Sequence, residues 1–383
     1  MLGLALAACT TSFPVSPAPV SPSLQPAPQP TIAVEPARPA CAGPAPAPAA
    51  SAAGITSKLP VLTLASGLHD PDDILYEFET NRLLVGEHST GRVAAVEAGG
   101  ITRFGFTVPL VEGIVRIGDN YYVGDQANDR VLKLSGGLEA TPAPFFQLQP
   151  VRGLDGLDNM RSSGRLLLLP DSARGTLLVV DESGAVVRSV AGFARPVDAF
   201  ALPDGSILVA DENAAGIWKV LADGSKSLIA RGLPLADDVV ADAQGRIFTI
   251  TVNGGQLIQI GLDGAQTTVG SGFRQPQGLE IDHAGNLFVT DFSSGRLLLV
   301  VESFKAAPVP ETFRLQPGQP ICLSVVRAPG FDGAVVAKAG RGYRVLAPDQ
   351  IIPDRCAQPE CTIQVSLTSG ALADVVAVKY TGG

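Results

Sequence analysis

Residues 276–300 read PQGLEIDHAGNLFVTDFSSGRLLLV and contain three apolar runs that are separated by turn residues. The first break, His283 to Asn286, contains a glycine, and the second is a short Ser/Gly loop after Asp291. Short apolar runs between such breaks are typical of antiparallel strands. The breaks come too often for two full helical turns, so the stretch does not fit an amphipathic helix.

The same unit occurs six times along the chain, at steps of about 40 residues. The positions equivalent to Asp291 are Glu87, Asp125, Asp171, Asp211, Thr251 and Asp291 itself. This period predicts an all-β fold, a six-bladed β-propeller over residues 59–303 with one four-stranded blade per copy. Residues 61–67 have the pattern of a fourth strand but precede the first copy. We therefore expect the N-terminal strand to complete the last blade and close the ring, which removes exposed sheet edges.

Residues 304–383 depart from the period and alternate apolar and polar positions, which predicts a small C-terminal β-sandwich-like module. Its cysteines are Cys322, Cys356 and Cys361. Together with Cys41 they allow three full disulfide pairings, which the sequence leaves open. A bridge within the C-terminal group is favoured, with Cys322 bonded to Cys356 or Cys361. A metal site is disfavoured because the Cys-x4-Cys spacing has no second pair or nearby histidine.

Residues 1–9 form a short apolar segment that ends in Leu6-Ala7-Ala8-Cys9. This ending resembles the lipobox of bacterial lipoproteins. The resemblance implies a signal segment, lipidation of Cys9, and an exported protein that is lipid-anchored in the cell envelope; a cytosolic tail is the alternative. Residues 10–58 are rich in Pro, Ala and Ser and are predicted to be a disordered linker.

The chain has a net charge of -9 and no basic stripe, so a nucleic-acid partner is not expected. We expect a monomer whose partners are the membrane, through the lipid anchor, and a small molecule or protein. Motifs of serine hydrolases, zinc proteases, P-loop proteins and dinucleotide-binding proteins do not occur in the sequence.

Residues 61–303 resemble the NHL-repeat propellers. The second copy, Asp125-Gln126-Ala127-Asn128-Asp129-Arg130-Val131, looks like the D-x-x-N-x-R-V segment of that family. The P-x-G-L opening of the sixth copy, residues 276–279, and the sixfold count are also similar to the gluconolactonase/senescence-marker and streptogramin-lyase propellers. The resemblance is specific for the fold and leaves the function open, because such propellers include enzymes and binding platforms.

In propellers, the loops before the first strand and after the second strand of each blade open onto one face around the channel. In lactonase-type relatives a divalent cation lies at this channel mouth. The resemblance implies Ca²⁺ or Mg²⁺ here, with candidate ligands Asp72, Glu112, Asp155 and Asp237. The remaining aligned positions are Val197, which cannot bind a metal, and Gln277. Candidate ligand-binding residues on the same face are Asp73, Asp198, Asp238 and Gln277.

Two histidines, His69 and His88, are expected on the same face beside the first blade, and either is a candidate general base. His283 is expected on the opposite face. The acids that end the second strands recur in almost every copy. We therefore interpret them as braces that hold the following loop rather than as catalytic groups.

Two functions agree with these features. The first is a cell-envelope lipoprotein whose propeller face binds a small ligand or a protein. The alternative is a divalent-metal-dependent lactonase-like hydrolase or lyase that uses the acidic mouth, with Asp72, Glu112 and Asp237 around the cation.

Overall fold

The computed structural model describes residues 52–97, 100–261, 263–306 and 312–382. Cys9, Cys41 and most of the predicted linker lie outside these ranges. Strands dominate the described residues, and none of the helical turns among them could cross a membrane. These turns are three-residue 3-10 turns, at Phe78–Thr80, Gln126–Asn128, Ser172–Arg174 and Phe292–Ser294.

The first three blades are antiparallel sheets whose strands follow chain order. Blade 1 consists of Pro71–Glu77, Arg82–Glu87, Arg92–Glu97 and Gly100–Arg103. Blade 2 consists of Val111–Ile117, Asn120–Asp125, Arg130–Leu134 and Ala143–Gln147. Blade 3 consists of Arg161–Ser163, Leu166–Asp171, Thr176–Asp181 and Val186–Ala191.

The last three blades complete the ring. Blade 4 consists of Pro196–Ala201, Ile207–Asp211, Gly216–Val220 and Lys226–Arg231. Blade 5 consists of Ala236–Ala241, Ile247–Thr251, Gln256–Ile260 and Gln266–Ser271. Blade 6 consists of Pro276–Ile281, Leu287–Asp291, Arg296–Val300 and, as its outer strand, Val61–Ser66. The outer strand of blade 6 pairs antiparallel with Arg296–Val300, which confirms the predicted closure by the N-terminal strand.

The core lies between neighbouring blades, because each sheet packs a face of apolar residues against the next sheet. Leu84 and Val93 of blade 1, for example, pack with Val111, Ile114 and Val123 of blade 2. Each such buried side chain contributes about 1.5–3 kcal/mol to stability. The stacking of sheets around a ring explains why the second strands are apolar on both faces.

The folded part begins earlier than predicted. Thr56–Ser57 adds a fifth strand to the outer edge of blade 5, and the Ser57 hydroxyl donates to the Val269 carbonyl at 2.9 Å. Ala52 and Ile55 are buried in the core between blades 5 and 6. The prediction of a disordered linker up to residue 58 is therefore wrong for residues 52–58, because these residues cover apolar surface and a sheet edge.

In its described residues, 304–306 and 312–382, the C-terminal module contains three small sheets. The largest, of four strands, is ordered Phe313–Leu315, Leu372–Gly382, Cys361–Ser369 and Val336–Ala337. The second, of three strands, is ordered Ile321–Cys322, Gln350–Pro353 and Tyr343–Ala347. The third pairs Phe304–Ala306 with Val325–Arg327. These sheets share one apolar core, in keeping with the predicted sandwich-like module.

A disulfide in this module joins Cys356 to Cys361. A bridge within the C-terminal group was expected, but the favoured pairing of Cys322 with either of these residues is wrong. The reason is geometric: Cys361 begins a strand, and the loop from Pro353 brings Cys356 back beside it, with 5.7 Å between the two Cα atoms. Cys322 is disulfide-bonded as well.

A buried lysine joins the module to the propeller. The Lys305 ammonium lies 3.1 Å from Oδ2 of Asp282, in the turn between the first two strands of blade 6. It also lies 2.5 Å from Oδ1 of Asp374, in the last strand of the module. Nearby, the Asn286 amide donates to the Phe304 carbonyl at 2.8 Å. The module is thus attached on the face opposite the channel mouth.

Candidate metal centre at the channel mouth

The first and second strands pair in the same register in all six blades, and this pairing places one residue of each blade at the channel mouth. In every blade the residue that opens the first strand, or precedes it, pairs with the last residue of the second strand, as Pro71 does with Glu87 and Pro276 with Asp291. The next residue in the chain lines a common cavity. We call these six residues, one per blade, the inner ring: Asp72, Glu112, Asp158, Val197, Asp237 and Gln277.

Blade 3 departs from the sequence alignment. Leu157 forms the bridge to Asp171 that opens the blade, so Asp158 holds the inner-ring position. Asp155 is exposed and does not line the cavity. The step between Asp125 and Asp171 is longer than the other steps, and its extra residues form a loop before the strand. That loop carries Asp155 away from the aligned position.

The cavity has a volume of about 240 Å³ and an almost wholly polar lining. Gln126, Asn159, Arg195, Glu212 and Asp238 complete the lining. The Arg195 guanidinium lies 3.1 Å from Oδ2 of Asp158 and also pairs with Glu212. One arginine therefore faces several carboxylates, and the cavity has an excess of negative charge.

One histidine joins this cluster. His88 Nε2 lies 3.3 Å from Glu112 Oε1 and 3.5 Å from Gln126 Oε1. One donor atom from each of Asp72, His88 and Glu112 lies within 4.8 Å of the others, a spacing that could hold a metal ion. His69 is exposed, and its backbone N–H donates to Glu87 Oε1 at 3.0 Å. The structure thus brings His88, not His69, to the candidate ligands.

Burial and like-charge repulsion raise the pKa values of the carboxyl groups in this cluster. Burial and the charges of Asp73 and Asp158 raise the pKa of Asp72 well above its usual range. Burial and the charges of Asp72 and Asp158 raise the pKa of Glu112 in the same way. For Asp237, burial and the charge of Asp238 raise the pKa well above its usual range. Protons or a cation must neutralise part of this cluster.

In three blades an aspartate directly follows the inner-ring residue in the chain, and these aspartates form a second layer. Asp73, Asp198 and Asp238 accept the backbone N–H of Ile114, Val239 and Leu279, each in the next blade, at 2.5, 2.9 and 2.6 Å respectively. These three were predicted to bind a ligand; of them only Asp238 lines the cavity, and all three join neighbouring blades.

Sequence reasoning missed a buried arginine in the channel. Arg161 contacts Asp198 at 2.9 Å, Asp238 at 3.2 Å and Glu280 at 3.2 Å. It occupies the strand position at which four other blades carry Leu75, Val115, Phe200 and Val240, and Glu280 holds that position in blade 6. The signal in the sequence is that two residues of opposite charge stand at an otherwise apolar repeat position.

The acids that end the second strands hold their loops, as predicted. The Asp211 carboxylate accepts the backbone N–H groups of Ala194, Arg195 and Ala214 at 2.8–3.0 Å. Asp291 pairs with Arg296 at 2.5 Å. Both acids are fully buried, and neither lines the cavity. His283 lies on the opposite face, as predicted, with its ring 4.1 Å from that of Phe78.

No protein-family model and no curated protein matches the chain. Solved structures do share its fold. A gluconolactonase from Xanthomonas campestris is 12% identical over 63% of this chain and 89% of its own, with a TM-score of 0.53. A protein assigned as a gluconolactonase is 14% identical over 65% of this chain and 93% of its own, with a TM-score of 0.52.

A streptogramin B lyase is 14% identical over 59% of this chain and 77% of its own, with a TM-score of 0.46. At such identities the likeness concerns the fold alone. The chain has the β-propeller fold of the two gluconolactonase structures.

Proposed function

We propose that this protein is a divalent-cation-dependent hydrolase of lactone-type esters, with the cavity at the channel mouth as its active site. The observation that carries the proposal is the cluster of Asp72, His88 and Glu112, whose donor atoms lie within 4.8 Å of one another in an acidic cavity. The gluconolactonases that share the fold motivate the choice of lactones as substrates.

The donor set fits a hard divalent cation. Asp72 and Glu112 are buried carboxylates, and Asp158 and Asp237 line the same cavity. Carboxylate oxygens are the preferred ligands of Ca²⁺ and Mg²⁺. Like charges at such short range raise each other's pKa, and a divalent cation relieves that repulsion. Asp72, Glu112 and Asp237 would hold the cation.

When bound, a divalent cation polarises an ester carbonyl and stabilises negative charge on its oxygen. His88 is assigned the proton transfer, because its Nε2 lies beside Glu112 while its ring stays partly exposed to solvent. In this role His88 accepts a proton from the water that adds to the carbonyl carbon. It returns the proton to the ring oxygen when the carbon–oxygen bond breaks, so that lactone and water give a hydroxy acid.

The test has two parts on the purified full chain. Calorimetric titration of Ca²⁺ and of Mg²⁺ after EDTA treatment should show binding, and δ-lactone hydrolysis should require the cation that binds. No binding at millimolar cation would contradict the proposal. Binding without hydrolysis of any lactone or other ester would favour the other candidate, a propeller face that only binds a ligand.

Export and a lipid anchor remain part of the proposal for this chain. Export is supported by the Cys356–Cys361 disulfide, because disulfides persist in oxidising, extracytoplasmic compartments. The lipobox-like ending at Cys9 adds a sequence argument. Incorporation of a labelled fatty acid into the wild type but not into Cys9→Ala would support anchoring, and equal labelling of the two would remove it.

A further inference from the structure

A second ring of residues surrounds the mouth above the inner ring. It consists of the residue that follows the second strand in each blade, and we call it the rim: His88, Gln126, Ser172, Glu212, Val252 and Phe292. In all six blades the rim N–H donates to the carbonyl of the residue just before the residue that opens the blade, at 2.8–3.2 Å. The six rim residues therefore hold equivalent backbone positions.

In blades 1 to 4 the rim side chains reach the charged groups of the cavity. His88 contacts Glu112, as described above. Gln126 donates to Asp158 Oδ1 at 3.1 Å, and the Ser172 hydroxyl donates to the same carboxylate. Glu212 pairs with Arg195. In these four blades the rim side chain thus faces the mouth, and it is polar.

Blades 5 and 6 place apolar side chains at the same position, namely Val252 and Phe292. Both lie outside the lining of the cavity and are partly exposed, and the Phe292 ring centre lies 6.0 Å from the ring centre of His88. In blade 4, next to blade 5, the inner ring is also apolar, at Val197. Val197, Val252 and Phe292 lie in consecutive blades, and we call them the apolar arc.

We propose that the apolar arc selects lactones that carry an apolar substituent, with Val252 and Phe292 as specificity-determining residues. The inference rests on the proposed function and names its substrate class. The carboxylates and His88 would contact the polar ester group, while the arc would receive an alkyl or aromatic group on the ring. A polyhydroxylated lactone would lose water from its hydroxyl groups against the arc without gaining hydrogen bonds there.

The experiment compares δ-decalactone with D-glucono-δ-lactone on the full chain with the cation present. For each lactone, kcat/KM is divided by the rate of uncatalysed hydrolysis, so that differences in ring reactivity cancel. Burial of a methylene group is worth up to about fourfold, so a substituent with several methylenes should favour δ-decalactone by at least about tenfold. Phe292→Ala should reduce this ratio several-fold, whereas Phe292→Leu, which stays apolar, should largely preserve it.

Val252→Thr offers a second variant of nearly equal shape, and its added hydroxyl should lower the same ratio. A ratio near one, a preference for the gluconolactone, or an unchanged ratio in Phe292→Ala would overturn the inference while leaving hydrolysis intact. If neither lactone is hydrolysed, the proposed function fails. In that case the dissociation constants of the two lactones test the apolar arc. Tighter binding of δ-decalactone supports the arc as a binding determinant, and equal binding of the two lactones overturns it.

Discussion

His88 Nε2 lies 3.3 Å from Glu112 Oε1, and this contact joins the rim of blade 1 to the inner ring of blade 2. The two residues are 24 positions apart in the chain and come from different repeats. Their contact brings the one histidine of the mouth to a buried carboxylate whose pKa is raised by burial and by the charge of Asp72. The proposed proton transfer depends on this pair.

Replacing His88 by glutamine should separate its proposed role from that of a metal ligand. Gln keeps a polar side chain of similar length but cannot accept and return a proton at neutral pH. We expect His88→Gln to lower kcat by about 10²–10⁴-fold, the usual contribution of a general acid–base group, with little change in cation affinity. Steady-state kinetics and cation titration measure the two effects. Loss of cation affinity as large as in a carboxylate variant would show that His88 is a ligand instead.

Removal of one proposed ligand should weaken cation binding. Asp72→Asn keeps the shape of the side chain and removes its charge, so we expect the dissociation constant to rise at least about tenfold, or 1.4 kcal/mol. Asp155→Asn is the matched control, because Asp155 is exposed and lies outside the cavity. Calorimetric titration of both variants checks the prediction, and equal losses in the two would contradict the assigned site.

The stability of the cation-free protein should fall as the pH rises above about 5. Burial raises the folded-state pKa of Asp72, Glu112 and Asp237 well above its usual range, and that of Asp73 to about 7. Between the usual value near 4 and these raised values, the folded state binds more protons than the unfolded state. The free energy of unfolding therefore decreases with pH across this window.

Thermal unfolding in EDTA from about pH 5 to about pH 8 measures this dependence. Saturating Ca²⁺ or Mg²⁺ should flatten it, because the cation replaces the protons. Asp237→Asn should also weaken the dependence of stability on pH, because it removes one carboxyl group whose pKa is raised. A midpoint that climbs steadily with pH in EDTA, or a slope that is the same in the variant, would show that the carboxylate cluster does not govern stability.

The attachment of the C-terminal module should depend on Lys305. Lys305→Met would leave Asp282 and Asp374 buried without their cation, which costs about 3–5 kcal/mol for a broken buried pair. Lys338→Met is the control, because Lys338 lies in the same module and is exposed. Denaturant unfolding of the two variants compares them. A loss below about 1 kcal/mol in Lys305→Met, the range of surface ion pairs, would contradict the role of the buried network.

Part of the site could be read from the repeat. The register that aligns Asp72, Glu112, Asp237 and Gln277 follows from the spacing of turns and apolar runs, and the structure brings all four to one cavity. The blade-3 position could not be read in the same way. The connection before blade 3 is longer, and the residue that pairs with Asp171 determines where the loop ends. That residue is Leu157.

By itself, the sequence determined the all-β class, the number of blades and the closure by the strand at Val61, because each rests on local period and turn chemistry. Only the tertiary structure decided that Asp158 replaces Asp155, that Arg161 meets Glu280 and that Cys356 bonds Cys361. In a ring of blades, side chains 119 positions apart, such as Arg161 and Glu280, converge on one axis. Their partners are set by burial and charge in three dimensions, which no single repeat encodes.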